Sequence, residues 1–129
     1  MPAEESRYPA DWLRLAEKDL KRVARALRDD DPELAGFCLQ QAVEKFLKAF
    51  LLANGWKLER IHDLGRLLDE ARTYDPDLSR FRDACQRITD YYVVERYPLI
   101  PDAGPSSEEV QRSLEAAREL IEKIRNATR

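Results

Sequence analysis

The 129-residue sequence contains few of the residues that build metal sites or covalent cross-links. It has two cysteines, Cys38 and Cys85, and a single histidine, His62. No combination of these three has the spacing of a zinc site, so we expect neither a metal nor a cofactor. Because each cysteine lies among apolar neighbours, we predict that both are buried, reduced thiols without a disulfide.

Long apolar runs are absent as well. The longest, residues 46–53, is interrupted by Lys48 and is much shorter than the roughly 20 residues that cross a bilayer. Residues 1–9 carry charges and lack the apolar segment of a secretion signal. We therefore expect a cytoplasmic protein that does not contact membranes.

The sequence has no excess of basic residues. It contains 22 Lys and Arg against 25 Asp and Glu, a net charge of −3. Domains that hold nucleic acid simply by neutralising phosphates are usually basic, which argues against that class, although a local basic pocket is still compatible with this balance. Asn and Gln are scarce while 36% of the residues are charged, a combination typical of thermophilic proteins.

Glycine is rare, with four residues, while good helix formers are abundant. The length suits one domain, and 43% hydrophobic with 36% charged residues suits helices that have one apolar stripe. We therefore predict a single all-α domain over residues 1–129, an antiparallel bundle of four to five helices.

Apolar periodicity and capping residues predict where the helices lie. We expect them at about 9–27, 32–54, 63–72 and 76–96, with a last helix after the capping box Ser106-Ser107-Glu108-Glu109. The inward stripe of the first helix is predicted as Leu13, Ala16, Leu20, Val23 and Leu27. The second helix is apolar almost all round in its second half, so it should be central. Trp12 and Tyr74 are expected in the core.

Four segments resemble the HEPN domain family. They are Trp12 followed by Ala16-Glu17-Lys18-Asp19-Leu20, the stretch Phe37-Cys38-Leu39-Gln40-Gln41-Ala42-Val43-Glu44-Lys45-Phe46-Leu47-Lys48-Ala49, His62-Asp63-Leu64, and Arg96-Tyr97-Pro98. They occur in the family's order and cover nearly the whole chain. The resemblance implies a helical bundle that commonly forms homodimers. It also implies a link to nucleotides or RNA, and a minimal nucleotidyltransferase as protein partner in a toxin–antitoxin-like pair.

Many members of that family are metal-independent endoribonucleases with an Arg, then four to six intervening residues, then a His. In this chain Arg96 is present, but the matching positions hold Pro101, Asp102 and Ala103. We therefore favour a nucleotide- or RNA-binding module over an enzyme. The alternatives are an endoribonuclease in which another group replaces the absent His, and a protein-interaction bundle that binds no nucleotide.

One face of the second helix carries the candidate site. Gln41, Glu44, Lys45 and Lys48 stand at i, i+3, i+4 and i+7, so they share that face. They either reach solvent and pair among themselves, or line a polar cleft together with Arg96, whose fork suits phosphate. In the second case Glu44 is the expected partner of Arg96. As a helix-end residue Arg96 also has a purely structural interpretation.

Three further residue types are weaker candidates. His62 is the one histidine that could act as a general base, although a loop-fixing hydrogen bond explains it equally well. Asp63 is most simply a helix N-terminal residue. Tyr91, Tyr92 and Tyr97 could stack on a base, but tyrosines on a helix face are more often core or interface residues. We expect Tyr91 or Tyr92 in a dimer interface.

Overall fold

The structure, a computed structural model, describes residues 5–96 and 104–128. For residues 93–96 it describes the main chain but not the side chains. Within these ranges it contains helices and no strand. The five α-helices are α1 (Pro9–Arg28), α2 (Pro32–Ala53), α3 (Leu64–Ala71), α4 (Arg82–Arg96) and α5 (Ser107–Thr128), and a 3₁₀ helix, Pro76–Phe81, precedes α4. The predicted all-α bundle is confirmed, and the predicted boundaries agree within one or two residues for α1, α2 and α3.

Helix α2 is the centre of the bundle and packs against α1, α3, α4 and α5. Phe46, Leu47 and Leu51 have no exposed surface, and Phe50 is 5% exposed. A helix that is apolar on several sides must be covered on several sides, which is why this one takes the middle position. No helix in the described part of the chain is long and apolar enough to cross a membrane.

Side-chain caps fix the helix starts. Asp31 accepts a hydrogen bond from the amide of Leu34 at 3.3 Å, and the Ser106 hydroxyl accepts one from the amide of Glu109 at 3.1 Å. These bonds satisfy amides that have no partner inside the first helical turn. A side-chain cap at Asp31 and the serine half of the predicted capping box are therefore present.

The buried face of α1 is centred differently from the predicted stripe. Trp12, Ala16, Asp19, Val23 and Ala26 are its buried residues, whereas Leu13, Leu20 and Leu27 are partly buried at its edge. Positions 12, 16, 19, 23 and 26 also follow alternating four- and three-residue steps, so periodicity alone fits either row. The row that includes Asp19 is the more deeply buried one because α2 supplies a charged partner for this carboxylate.

Two expectations for the segment before α4 are wrong. Residues 76–81 form a 3₁₀ helix instead of the first turn of an α-helix. The Asp75 carboxylate accepts from the amide of Asp77 at 3.2 Å, and the Ser79 hydroxyl donates to the carbonyl of Pro76 at 2.9 Å. Such local side-chain bonds compete with α-helical pairing. Tyr74, expected in the core, is 44% exposed because it lies in the turn that follows α3.

Both cysteines are buried and neither forms a disulfide, as predicted. Burial raises the pKa of the Cys85 thiol from 9.0 to about 12, because a thiolate would lose its hydration there. Cys85 is therefore a protonated, unreactive thiol at neutral pH.

Helices α2 and α4 approach closely at Gly36. A Cβ atom at this position would lie 3.0 Å from Cγ of Tyr91, so a larger residue would push α4 away. The Tyr91 hydroxyl lies 2.9 Å from the hydroxyl of Ser113 on α5, which ties α4 to a second neighbour. This packing fixes the axial position of α4 and with it the position of Tyr92, the next residue.

Candidate functional site

A cleft of about 420 Å³ opens between α1, α2 and the segment that joins α2 to α3. All four residues of the polar face of α2 line it, which brings the predicted set together in one place. His62, a weaker candidate from the sequence, also lines the cleft, together with side chains that had not been assigned to a site. The lining residues are Glu5, Ser6, Asp11, Trp12, Leu15, Gln41, Glu44, Lys45, Lys48, Arg60 and His62.

A buried ion pair forms the floor of the cleft. Glu44 is 4% exposed and Lys48 is 2% exposed, and Nζ of Lys48 lies 3.1 Å from Oε2 of Glu44. The two residues are four positions apart, so the pair is built into one helix face. The Lys48 ammonium also lies 5.3 Å from the centre of the Trp12 ring, a cation–π distance. The positive charge thus has two partners in a site from which water is largely excluded.

The second oxygen of Glu44 connects α2 to the loop before α3. Oε1 of Glu44 accepts from Nε2 of Gln40 at 3.1 Å and lies 2.9 Å from Nδ1 of His62. Gln40 is fully buried, and its amide nitrogen also donates to the carbonyl of His62 at 2.9 Å. Main chain and ring of His62 are therefore both fixed by α2.

The His62 ring is the end of a row of three rings. It lies nearly parallel to Tyr92, with 5.3 Å between ring centres and 13° between planes, and Tyr92 in turn lies 5.7 Å from Phe37. The side chain of His62 is nevertheless 56% exposed. Tyr92 lies on one side of the imidazole, and more than half of the His62 side-chain surface stays open to solvent.

A second charged group lies beside the floor. Lys45 forms an ion pair with Asp19 of α1, and the same carboxylate accepts from Arg22 at 2.6 Å. Asp19 is 3% exposed, whereas the side chain of Lys45 keeps 20% of its surface in solvent. Arg60 is exposed and makes no ion pair with any described residue. Lys45 and Arg60 are consequently the cations at the mouth of the cleft.

The remaining candidates fall into two groups. Asp63 caps α3, where its carboxylate accepts from the amide of Arg66 at 3.2 Å, so it has a structural role. Arg96 is the last residue of α4, but its side chain and the whole of Tyr97 lie outside the described residues. The expected contact between Arg96 and Glu44 therefore stays a prediction. Residues 98–103 also lie outside the described residues.

Some site residues had no clear signal in the sequence. Trp12 looked like a core residue and is indeed 7% exposed, yet its ring edge reaches the cleft and its Nε1 donates to the carbonyl of Ser6 at 2.7 Å. Gln40 neighbours Gln41 in the sequence but points inward. Arg60 lies in an irregular segment, where no periodicity indicates the direction of a side chain.

The chemistry available in the cleft is that of hydrogen bonds and charge. Among the residues that the structure describes, no group of His, Cys, Asp and Glu could hold a metal ion. The cleft offers two cations at its mouth, a fixed imidazole and an indole. Two carboxylates, those of Glu5 and Asp11, lie at its rim.

Comparison with known proteins gives one family and two similar structures. The sequence pattern of the HEPN domain matches residues 9–127. The crystal structure of TT1696 from Thermus thermophilus is 28% identical, with a TM-score of 0.80 over 92% of this chain and 97% of that one. ST0689, described as an archaeal HEPN homologue, is 24% identical with a TM-score of 0.74 over 95% of this chain and 98% of that one, a likeness that shows the fold. No protein of curated function matches.

Proposed function

Because the chain belongs to the HEPN domain family, we propose that its cleft binds a phosphate-bearing ligand, a nucleotide or the backbone of a short RNA. The observation that carries this proposal is the mouth of a cleft of about 420 Å³, where Arg60 has no ion pair with any described residue. Lys45 also lies there, paired with Asp19 and with 20% of its side chain in solvent. That volume is in the range of small-molecule sites. An Arg fork donates two parallel hydrogen bonds to a phosphate, and a Lys adds a point charge.

The floor of the cleft supports the proposal because its carboxylate, that of Glu44, is already paired. Both oxygens of Glu44 are occupied, one by Lys48 and the other by Gln40 and His62. A carboxylate that is already paired with an ammonium repels an incoming phosphate much less than a free one does. The carboxylates that line the cleft besides Glu44, those of Glu5 and Asp11, favour a ligand with few phosphates over a long polyanion. The net charge of −3 points the same way.

The main chain of α4 places residue 96 one helical turn beyond Tyr92. Tyr92 stacks on His62 at the edge of the cleft, and Arg96 follows one helical turn later, about 6 Å further along the axis. We propose that Arg96 supplies a further phosphate contact from this end, with Tyr97 beside it. Support for Arg96 comes from this position and from the family resemblance, and support for Tyr97 comes from the family resemblance alone.

Substitution of Arg60 tests the binding proposal without disturbing the fold. Arg60→Glu should weaken binding of ATP and of a short single-stranded RNA by about tenfold, the effect of losing one charge-assisted contact at a partly solvated site. Lys21→Glu is the matched control, since Lys21 is exposed on α1 and lies nine residues, or two and a half turns, from Trp12. Titration calorimetry of the three proteins measures the difference.

Three results of that titration would contradict the proposal. They are the absence of binding of either ligand to the wild-type protein at millimolar concentration, an equal loss of affinity in Lys21→Glu and Arg60→Glu, and cleavage of the RNA during the experiment. The last result would support the ribonuclease alternative, with His62 as the group that replaces the absent histidine. We expect intact RNA and a binding constant whose logarithm falls with the logarithm of salt concentration with a slope of about −1 to −2, as for two phosphate contacts.

We propose, from the family resemblance, that the chain acts as a homodimer beside a minimal nucleotidyltransferase. Tyr91 is not available for the interface, because it is 9% exposed and bonded to Ser113 within the chain. The exposed aromatic residue Tyr74 offers another contact point. Light scattering should give twice the mass of 15.0 kDa across a wide concentration range. A mass of one chain throughout would remove this proposal.

A further inference from the structure

We infer that the exposed face of the His62 ring is a stacking platform for the base of the ligand, so that the site takes a nucleotide and not a bare phosphate compound. This inference rests on the proposed binding function and adds to it the residue that holds the base. The residue that carries it is the one histidine of the chain, which lines the cleft two residues after Arg60.

The first argument is the orientation of the ring. Tyr92 lies against one face at 5.3 Å with an angle of 13°, and Phe37 lies behind Tyr92. The row ends at His62, whose side chain is 56% exposed. A planar base placed on the open face would extend this row by one ring at the spacing that stacked aromatic groups prefer.

The second argument is that the platform is held rigidly before a ligand arrives. Nδ1 of His62 lies 2.9 Å from the carboxylate of Glu44. The main-chain carbonyl of His62 accepts a hydrogen bond from the buried side-chain amide of Gln40 at 2.9 Å. The ring therefore cannot turn freely. A group that is already ordered loses little conformational entropy on binding, so stacking contributes more of its energy to affinity.

The third argument concerns the other half of the ligand. Arg60 is in the same segment as His62, and Lys45 is one residue beyond Glu44, the partner of the ring. A base on His62 thus lies in the same cleft as both cations, where they are available to its phosphates. Stacking uses the face of a base and does not read its hydrogen-bonding edge. We therefore expect the site to accept adenine, guanine and pyrimidine bases with similar affinities, as stacking platforms do.

Comparison of ATP with inorganic triphosphate separates the base contact from the phosphate contact. Wild-type protein should bind ATP about five- to 150-fold more tightly than triphosphate, the range for loss of one stacked base. His62→Asn removes the ring, keeps a polar group near Glu44, and should abolish this preference while triphosphate affinity stays the same. His62→Phe keeps a ring and should retain the preference. Thermal unfolding of each variant checks that the bundle is intact.

The outcomes distinguish the inference from the function on which it rests. If wild-type protein binds ATP and triphosphate equally and Arg60→Glu weakens both, the platform is wrong and the phosphate site survives. If His62→Asn weakens both ligands by the same factor, His62 acts only by ordering the cleft, and the platform is again wrong. If neither ligand binds, both proposals fail.

Discussion

Replacement of Glu44 by leucine should lower the free energy of unfolding by about 3–5 kcal/mol, the usual cost of leaving a buried charge without its partner. Lys48 is 2% exposed, and its ammonium has the Glu44 carboxylate at 3.1 Å. In Glu44→Leu the Lys48 ammonium remains buried in the bundle, and the Trp12 ring is its main favourable contact. Urea denaturation followed by circular dichroism measures the change.

The double variant Glu44→Leu/Lys48→Met provides the decisive comparison. Replacing both charges by apolar groups of similar size removes the cost of burying them, so most of the lost stability should return. Glu115→Leu is the control, because Glu115 pairs with Arg118 on the surface of α5 at 2.9 Å and both side chains are 56% exposed. That change should have little effect. Equal stability of Glu44→Leu and wild type would show that Lys48 is solvated and that the floor of the cleft is not a buried pair.

Removal of the Phe46 ring should also cost about 3–5 kcal/mol, the range measured for a buried phenylalanine replaced by alanine. Phe46 has no exposed surface and lies in the middle of α2, the helix that contacts the four others. The guanidinium of Arg125, which lies 5.6 Å from the ring centre, would lose an aromatic partner at the same time. The same denaturation experiment gives the result.

Leu34→Ala is the matched control for Phe46→Ala, since Leu34 is on the same helix but 40% exposed. A surface change of this kind usually alters stability by less than about 0.5 kcal/mol. Similar losses in the two variants would contradict the central position of α2.

The helices could be predicted from the sequence because their signals are local. Periodicity over α2 identifies the apolar faces, and the Asp31-Pro32 pair places its start. The 3₁₀ helix at 76–81 was missed because hydrogen bonds from Asp75 and Ser79 decide between two kinds of turn that share one sequence pattern. Tyr74 was misplaced for a related reason: in a turn, no period tells which way a ring points.

The candidate site could be predicted only in part. Gln41, Glu44, Lys45 and Lys48 share a helix face by spacing alone, and the structure places them in one cleft. The contact between Glu44 and His62 spans 18 residues and depends on how the loop after α2 returns to the bundle. Asp19 was overlooked because a charge within an otherwise apolar row looks like an interruption until its partner, Lys45, is known.

The tryptophan indole signals in a ¹⁵N–¹H correlation spectrum test the central claim, phosphate-ligand binding in this cleft, most directly. The chain has two tryptophans, so two such signals are expected. Trp12 lines the cleft, whereas Trp56 lies against the core beside a different cavity. Addition of ATP should shift the Trp12 signal and the amides of Gln41 and Lys45 with one saturating curve while the Trp56 signal stays in place. Unchanged Trp12 and α2 signals at saturating ATP, or saturable shifts confined to residues outside the cleft, would contradict the account.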